Sequence, residues 1–260
     1  MIKLSKRLQT IADRVSADAR AADIGSDHAL LPVYLVQSGK CPSAIAGELN
    51  TGPFLAAQKG AAEAGLTGAI DVRQGDGLSV LLPGEADTVI LAGMGGSLMS
   101  DILEAGWRDG RLDGVRELVL QPNVGEDLVR RWLVRRDYVL QSETIMEEDG
   151  RIYEILHALA GENKEAAEAW NTRLYDASEL PLQMSAGYRS EWLYRMGPYL
   201  LQEGDELLKK KWRMELGKLE RIRNQLALST LSESREKEAA LGDEMQQMEE
   251  VLQCLPMVKP

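Results

Sequence analysis

The chain has 260 residues, 44% hydrophobic and 27% charged, with a formal net charge of −11. That suffices for one ordinary domain and a smaller second unit, in a normal globular balance. No apolar run approaches the roughly 20 residues that span a bilayer, and the opening MIKLSKRLQTIADRV lacks an apolar signal core. Two cysteines, Cys41 and Cys254, and two histidines show no metal-ligand spacing. The expectation is a cytoplasmic protein with neither a membrane nor a metal partner.

In chain order, Leu4, Leu8, Ile11 and Val15 recur at helical spacing and predict an amphipathic first helix. RAADIGS reads as a strand running into a turn, followed by a helix over 30–37 that Gly39 stops. SAIAGEL is a second strand, residues 53–64 a second helix closed by Gly65, and IDVRQ a third strand ending in the turn GDGL. DTVILAG is a continuous apolar run, suited to a parallel strand buried on both faces. A helix over 96–104, the strand ELVLQP and a helix over 126–135 come next. Two last strands flank Asp149-Gly150, a hairpin signal. Alternating units ending in an antiparallel hairpin imply an α/β, Rossmann-like, doubly wound sheet of about seven strands. We assign it residues 1–161.

Residues 162–260 change character. Polar, helix-prone sequence with breaks near Pro181, Gly187 and Pro198 leads to two heptad-like seams. The first runs through Leu208, Trp212, Leu219, Ile222 and Leu226, the second through Met245, Met248, Leu252 and Leu255. The first segment is basic and the second acidic, so a helical coiled-coil hairpin turning within 228–242 is expected. It can close within one chain or between two, a monomer being the expectation.

Net charge taken alone argues against nucleic acid, because phosphate binding rests on Lys and Arg. The bases cluster, however. Lys3, Lys6, Arg7 and Arg14 oppose only Asp13 in the first 14 residues, and Lys209, Lys210, Lys211 and Arg213 open the basic helix. Local surfaces of this kind can hold a polyanion; the bland alternative is a solvated helix face paired with its neighbour.

Four motifs fall at the carboxyl ends of predicted strands, where ligands sit in such sheets. The first is Asp23-Ile24-Gly25-Ser26-Asp27-His28, whose turn amides can receive an anionic group. The second is Glu48, with Leu49 beside it, about 20 residues past that turn and placed to accept from ribose hydroxyls. The third is Gly75-Asp76-Gly77, where Asp76 can accept from an exocyclic amine and Gly77 leaves room for a flat ring. The fourth is Ala92-Gly93-Met94-Gly95-Gly96, a floor with little side-chain bulk. The bland alternatives are plain strand–helix turns, a flexible loop at the fourth motif, a helix N-cap at Asp27, and a first-turn residue bonded to backbone at His28. The missing glycine triplet disfavours a dinucleotide, whose pyrophosphate needs close backbone approach. S-adenosylmethionine carries no phosphate and fits the glycine-poor turn.

ADIGSDHALLP, AGEL-x-x-GP, R-x-GDGL, LAGMGG, LQPN and YEI, in that order, resemble the bacterial tRNA (adenine-N1)-methyltransferases that act on the adenine at position 22. The resemblance covers residues 1–160 closely, and the family's helical tail is expected to cover the rest. One departure is Leu30, where the family pattern usually has an aromatic residue. The resemblance implies cofactor contacts from Asp23, Gly25, Ser26, Glu48, Asp76, Gly77 and the backbone of Ala92, Gly93 and Met94. It places Asp27, His28 and Asn123 at the mouth where the target base enters. Two other readings stand beside it. One is methyl transfer to another RNA, DNA or small molecule. The other is a non-catalytic cofactor-binding module whose helical hairpin recruits a protein.

Overall fold

The computed structural model describes residues 1–176, 178, 186–229 and 231–255. The chain divides into two compact units, Met1–Thr172 and Arg173–Pro260. Among the described residues, no helix is long and apolar enough to cross a membrane.

The first unit is built on a sheet of seven described strands in the order β3-β2-β1-β4-β5-β7-β6. These are β1 (Arg20–Ile24), β2 (Ser43–Glu48), β3 (Ile70–Gln74), β4 (Thr88–Met94), β5 (Glu117–Pro122), β6 (Tyr138–Glu148) and β7 (Arg151–Ala160). The first five pair in parallel; β7 runs antiparallel to β5, and β6 to β7. Every residue of β5 is buried, as are the first four of β4, as expected of parallel strands covered on both faces. The strand order reverses between β1 and β4, so the crevice at their carboxyl ends is the natural ligand site.

The helices are α1 (Lys6–Arg14), α2 (Leu30–Gln37), α3 (Thr51–Glu63), α4 (Gly96–Arg108), α5 (Glu126–Arg135) and α6 (Lys164–Leu174). Ser5 caps α1, its side chain accepting from the Leu8 amide, and Ile11 and Ala12 are its buried face. A buried carboxylate ties the end of α1 to the sheet. Glu117 accepts from the Ser16 amide and hydroxyl and from the Thr88 hydroxyl, and pairs with His157 Nε2 at 2.8 Å. Burial pushes this carboxyl up, but those hydrogen bonds outweigh it and hold the pKa at about 2. On the far side, Arg130 of α5 lies fully buried between Glu143 of β6 and Glu154 of β7. The sequence boundary at 161/162 and the division at Thr172/Arg173 differ by α6. Asn171 of α6 donates to the Tyr138 carbonyl at 3.1 Å, and Ala167 is buried.

The second unit holds α7 (Ala186–Met196), α8 (Pro198–Glu203), α9 (Glu206–Ala227) and α10 (Ser232–Cys254). α7 begins at Ala186, beside the break expected near Gly187, and that glycine lies in its first turn, outside the interior positions where glycine is costly. The break at Pro198 occurs: Gly197 sits at φ +89° and Pro198 opens α8 at a first-turn position. Pro181 lies outside the described residues. Helices α9 and α10 are joined at 228–231 and pack as an antiparallel pair, with Arg223 Nε 3.7 Å from Glu238 Oε1. Leu208, Trp212, Met248 and Val251 are buried, whereas Ile222 is 47% exposed, so the seam thins toward the turn.

Candidate active site

The first turn departs from an ordinary strand–helix connection. Gly25 leaves β1 at φ +81°, and Asp27, His28 and Ala29 follow at φ +25°, +60° and +53°. Three successive non-glycine residues in the left-handed region are uncommon, and each costs on the order of 1–3 kcal/mol. Two contacts hold them. The Glu48 carboxylate, 7% exposed at the end of β2, accepts from the Asp27 amide at 2.6 Å. The His28 carbonyl rests on α3 at Gly60, where a Cβ would stand 2.5 Å from that oxygen.

The N-cap reading of Asp27 therefore does not hold. Ala29 stands at the N-cap of α2 with no side-chain cap bond, and the one-turn helix over 27–29 is preceded by Ser26. The Asp27 and His28 side chains are 75% and 62% exposed and lie 3.4 Å apart.

Behind the turn, Asp23 is 5% exposed and accepts the Ser26 hydroxyl at 2.7 Å. Ser26 is thus spent inward, and its amide donates to the Gly47 carbonyl. Burial, reinforced by the Glu48 charge and opposed by the Ser26 bond and by Arg7, raises the Asp23 pKa to about 7. Gly25 leaves space beside the Met94 methyl, 3.5 Å from where its Cβ would stand. The Leu49 side chain is 56% exposed at the end of β2. Asp76 is exposed at the start of the one-turn helix Gly77–Val80, and Gly77, at φ +50°, packs on Ile102 of α4.

The fourth motif is a pinned loop. β4 loses register with β5 between Ala92 and Met94, and Gly93 takes φ +82° at this bulge. Asn123 clamps it twice, its amide donating to the Met94 carbonyl at 2.8 Å and its Nδ2 to the Gly93 carbonyl at 2.7 Å. Gly96 is not part of a floor. It is buried against the Gly125 carbonyl, which lets α4 start close to the loop before α5.

The expected RNA-facing residues separate. Lys3 and Lys6 are exposed, Lys6 donating to the Glu147 carbonyl. Arg7 instead turns into the site, its Nη1 on Gln121 Oε1 at 2.5 Å and its guanidinium 5.4 Å from the Tyr153 ring centre. In the second unit Lys210 and Arg213 are exposed, and Lys211 lies 5.8 Å from the Trp212 ring centre. Lys209 is corrected: it is buried with its ammonium 2.8 Å from Glu206, because it follows the inward face shared by Leu208 and Trp212. Gln121 and Gly60 were not singled out from the sequence. Gln121 lies inside the quoted LQPN motif, which was its one visible signal.

The site fits S-adenosylmethionine by donor chemistry. That molecule presents an ammonium, two ribose hydroxyls and an adenine amine, all donors, and Asp23, Glu48 and Asp76 are acceptors at the ends of three adjacent strands.

The sequence profile described as TrmK, tRNA (adenine(22)-N(1))-methyltransferase, matches residues 21–250. The tRNA (adenine(22)-N(1))-methyltransferase of Bacillus subtilis (strain 168) is 42% identical over 252 residues, 96% of this chain and 98% of that protein. The crystal structure of the B. subtilis m1A22 tRNA methyltransferase TrmK aligns with a TM-score of 0.82 at 41% identity, covering 97% of this chain and 100% of that one. Sp1610 of Streptococcus pneumoniae, solved in complex with S-adenosyl-L-methionine, aligns at 0.77 with 37% identity, covering 96% of this chain and 100% of its own. The chain belongs to the TrmK family of tRNA (adenine(22)-N(1))-methyltransferases.

Proposed function

We propose that this protein transfers a methyl group from S-adenosylmethionine to the N1 ring nitrogen of an adenine in tRNA. The observation that carries this is the pair of buried carboxylates, Asp23 and Glu48, set behind an exposed Asp27–His28 turn in a chain of this family. The test is an unmodified tRNA transcript with labelled cofactor, followed by nucleoside analysis. 1-Methyladenosine at position 22 is expected; label in another nucleoside or none overturns the assignment.

When bound, the cofactor supplies an electrophilic methyl group on a sulfonium. Adenine N1 carries an in-plane lone pair, so no base is needed to create the nucleophile, and catalysis rests on alignment. Methylation leaves the base cationic, and Asp27 beside the exocyclic amine stabilises that charge. His28 and Asn123 orient the ring, and Glu48 holds the ribose. Asp27→Ala is expected to lower kcat about tenfold with little change in cofactor affinity. Glu48→Ala, which removes charged acceptors, weakens cofactor binding about 10- to 100-fold. Steady-state kinetics and calorimetry separate the two; equal losses in both quantities for Asp27→Ala refute its role.

Asp23 gives the site a pH dependence. Its folded pKa of about 7 stands above its ordinary 3.8, so the folded state holds a proton that the unfolded chain has released. Stability therefore falls as pH rises from about 4 through 7, and levels off above. Cofactor binding runs the other way, because the ammonium needs the carboxylate. Asp23→Asn is expected to melt a few degrees above wild type at pH 8 and near it at pH 4, and to bind cofactor more weakly at pH 8. Melting curves at the two pH values decide this.

Lys3, Lys6, Lys210, Lys211 and Arg213 serve the tRNA phosphates. Lys210→Glu with Arg213→Glu is expected to raise the KM for tRNA several-fold and flatten its salt dependence at unchanged kcat. An unaltered KM makes that helix face merely solvated. Free thiols at Cys41 and Cys254 support a cytoplasmic setting, and the pairing of α9 with α10 inside one chain supports a monomer.

A further inference from the structure

We propose that Arg7 is a positioning residue that anchors the hydrogen-bonded chain of Gln121 and Asn123, and through it the carbonyls of the Gly93–Met94 loop. The inference rests on the methyl-transfer reading above. A guanidinium only donates, so Gln121 must turn Oε1 toward Arg7 Nη1, 2.5 Å away. That commits Gln121 Nε2, whose two hydrogens go to the Pro122 carbonyl at 2.9 Å and to Asn123 Oδ1 at 3.0 Å. Asn123 must then turn Nδ2 toward the Gly93 carbonyl, 2.7 Å away. Each amide in this relay has one orientation only: Arg7 holds it from the donor end, and the Pro122 and Gly93 carbonyls, which only accept, hold it from the other. Without Arg7, Gln121 Oε1 loses its charged donor, and the Nε2 bonds to the Pro122 carbonyl and Asn123 Oδ1 are left to hold the amide alone. Gln121 is fully buried, so bulk water does not restore the pattern.

The relay leaves one Nδ2 hydrogen and one Oδ1 lone pair on Asn123, an exposed side chain, with their sense decided. It also links the first helix to a loop more than eighty residues away. The Tyr153 ring beneath the guanidinium keeps Arg7 on the sheet.

The test uses the full chain, a tRNA transcript and S-adenosylmethionine. Arg7→Met and Gln121→Glu are each expected to lower kcat roughly 10- to 100-fold. KM for tRNA should stay within about twofold. Gln121→Glu still accepts from Arg7 but cannot donate to Asn123, so it breaks the relay one step later. The double variant should be no slower than the slower single. Arg7→Lys, which still donates, should recover part of kcat.

A raised KM with unchanged kcat and a flattened salt dependence in Arg7→Met would make Arg7 a phosphate anchor and overturn the proposal. Additive losses in the double variant would overturn it too. A readout independent of turnover is the exchange protection of the Gln121 and Asn123 side-chain amide hydrogens, measured by NMR. Arg7→Met should lose that protection, and its retention refutes the relay. Wild-type protein that methylates no tRNA would count against the functional reading while leaving the amide measurement to judge the relay.

Discussion

Gly60→Ala is expected to lower kcat roughly 100-fold while leaving the fold in place. By helix propensity alone the change is favourable, since alanine exceeds glycine by about 1 kcal/mol inside a helix. The site reverses that sign. A Cβ on Gly60 would stand 2.5 Å from the His28 carbonyl oxygen, a backbone atom that cannot swing aside. The left-handed residues 27–29 must then lift away from α3, carrying Asp27 and His28 with them. Cofactor affinity falls less, because Asp23 lies on β1, outside the displaced turn. Gly52→Ala is the control in the same helix: a Cβ there meets nothing within 4 Å, and turnover should not change. Steady-state kinetics on the two variants measure this. Equal turnover in Gly60→Ala and wild type would show that the turn does not need its seat on α3.

The second large effect is on stability. Arg130→Met is expected to cost about 3–5 kcal/mol, seen as a drop in Tm of roughly 10 °C or more. Arg130 Nε donates to Glu143 Oε1 at 2.7 Å and its Nη2 to Glu154 Oε2, and all three side chains are fully buried. Methionine matches the volume but strands two carboxylates in the interior without their cation. The triple change Arg130→Met, Glu143→Leu, Glu154→Met removes the charges together and should recover most of the loss. Thermal melts of the single and triple variants decide it. A single variant that melts near wild type would show that the carboxylates find other partners or protons.

The sheet was legible because its information is local. Alternating apolar strands and amphipathic helices, punctuated by Gly39, Gly65, Pro122 and Asp149-Gly150, state the order of elements directly. Asp23 and Glu48 were legible for the same reason, as acids at the ends of apolar strands. The left-handed turn was not. Asp27-His28-Ala29 contains no glycine, so nothing nearby signals positive φ, and the conformation depends on Gly60 and Glu48 arriving from elsewhere in the fold. Arg7 was placed with the surface bases because its spacing suits α1. Its true partner, Gln121, lies on β5, and only strand order brings the two together. Lys209 shows the converse. Composition marks the run Lys209–Lys211 as one basic patch, yet helical rotation turns its first member inward beneath Glu206.

Through Glu48 the affinities of the two proposed ligands are coupled. One of its oxygens holds the Asp27 amide and so braces the strained turn; the ribose contact proposed above falls to the other. A ligand that immobilises this carboxylate stiffens the mouth, and a base that settles against Asp27 steadies the carboxylate in return. Linkage of that kind is reciprocal, so each substrate must raise the affinity of its companion by the same factor. A single side chain at the end of β2 thereby makes the two halves of the reaction sense one another.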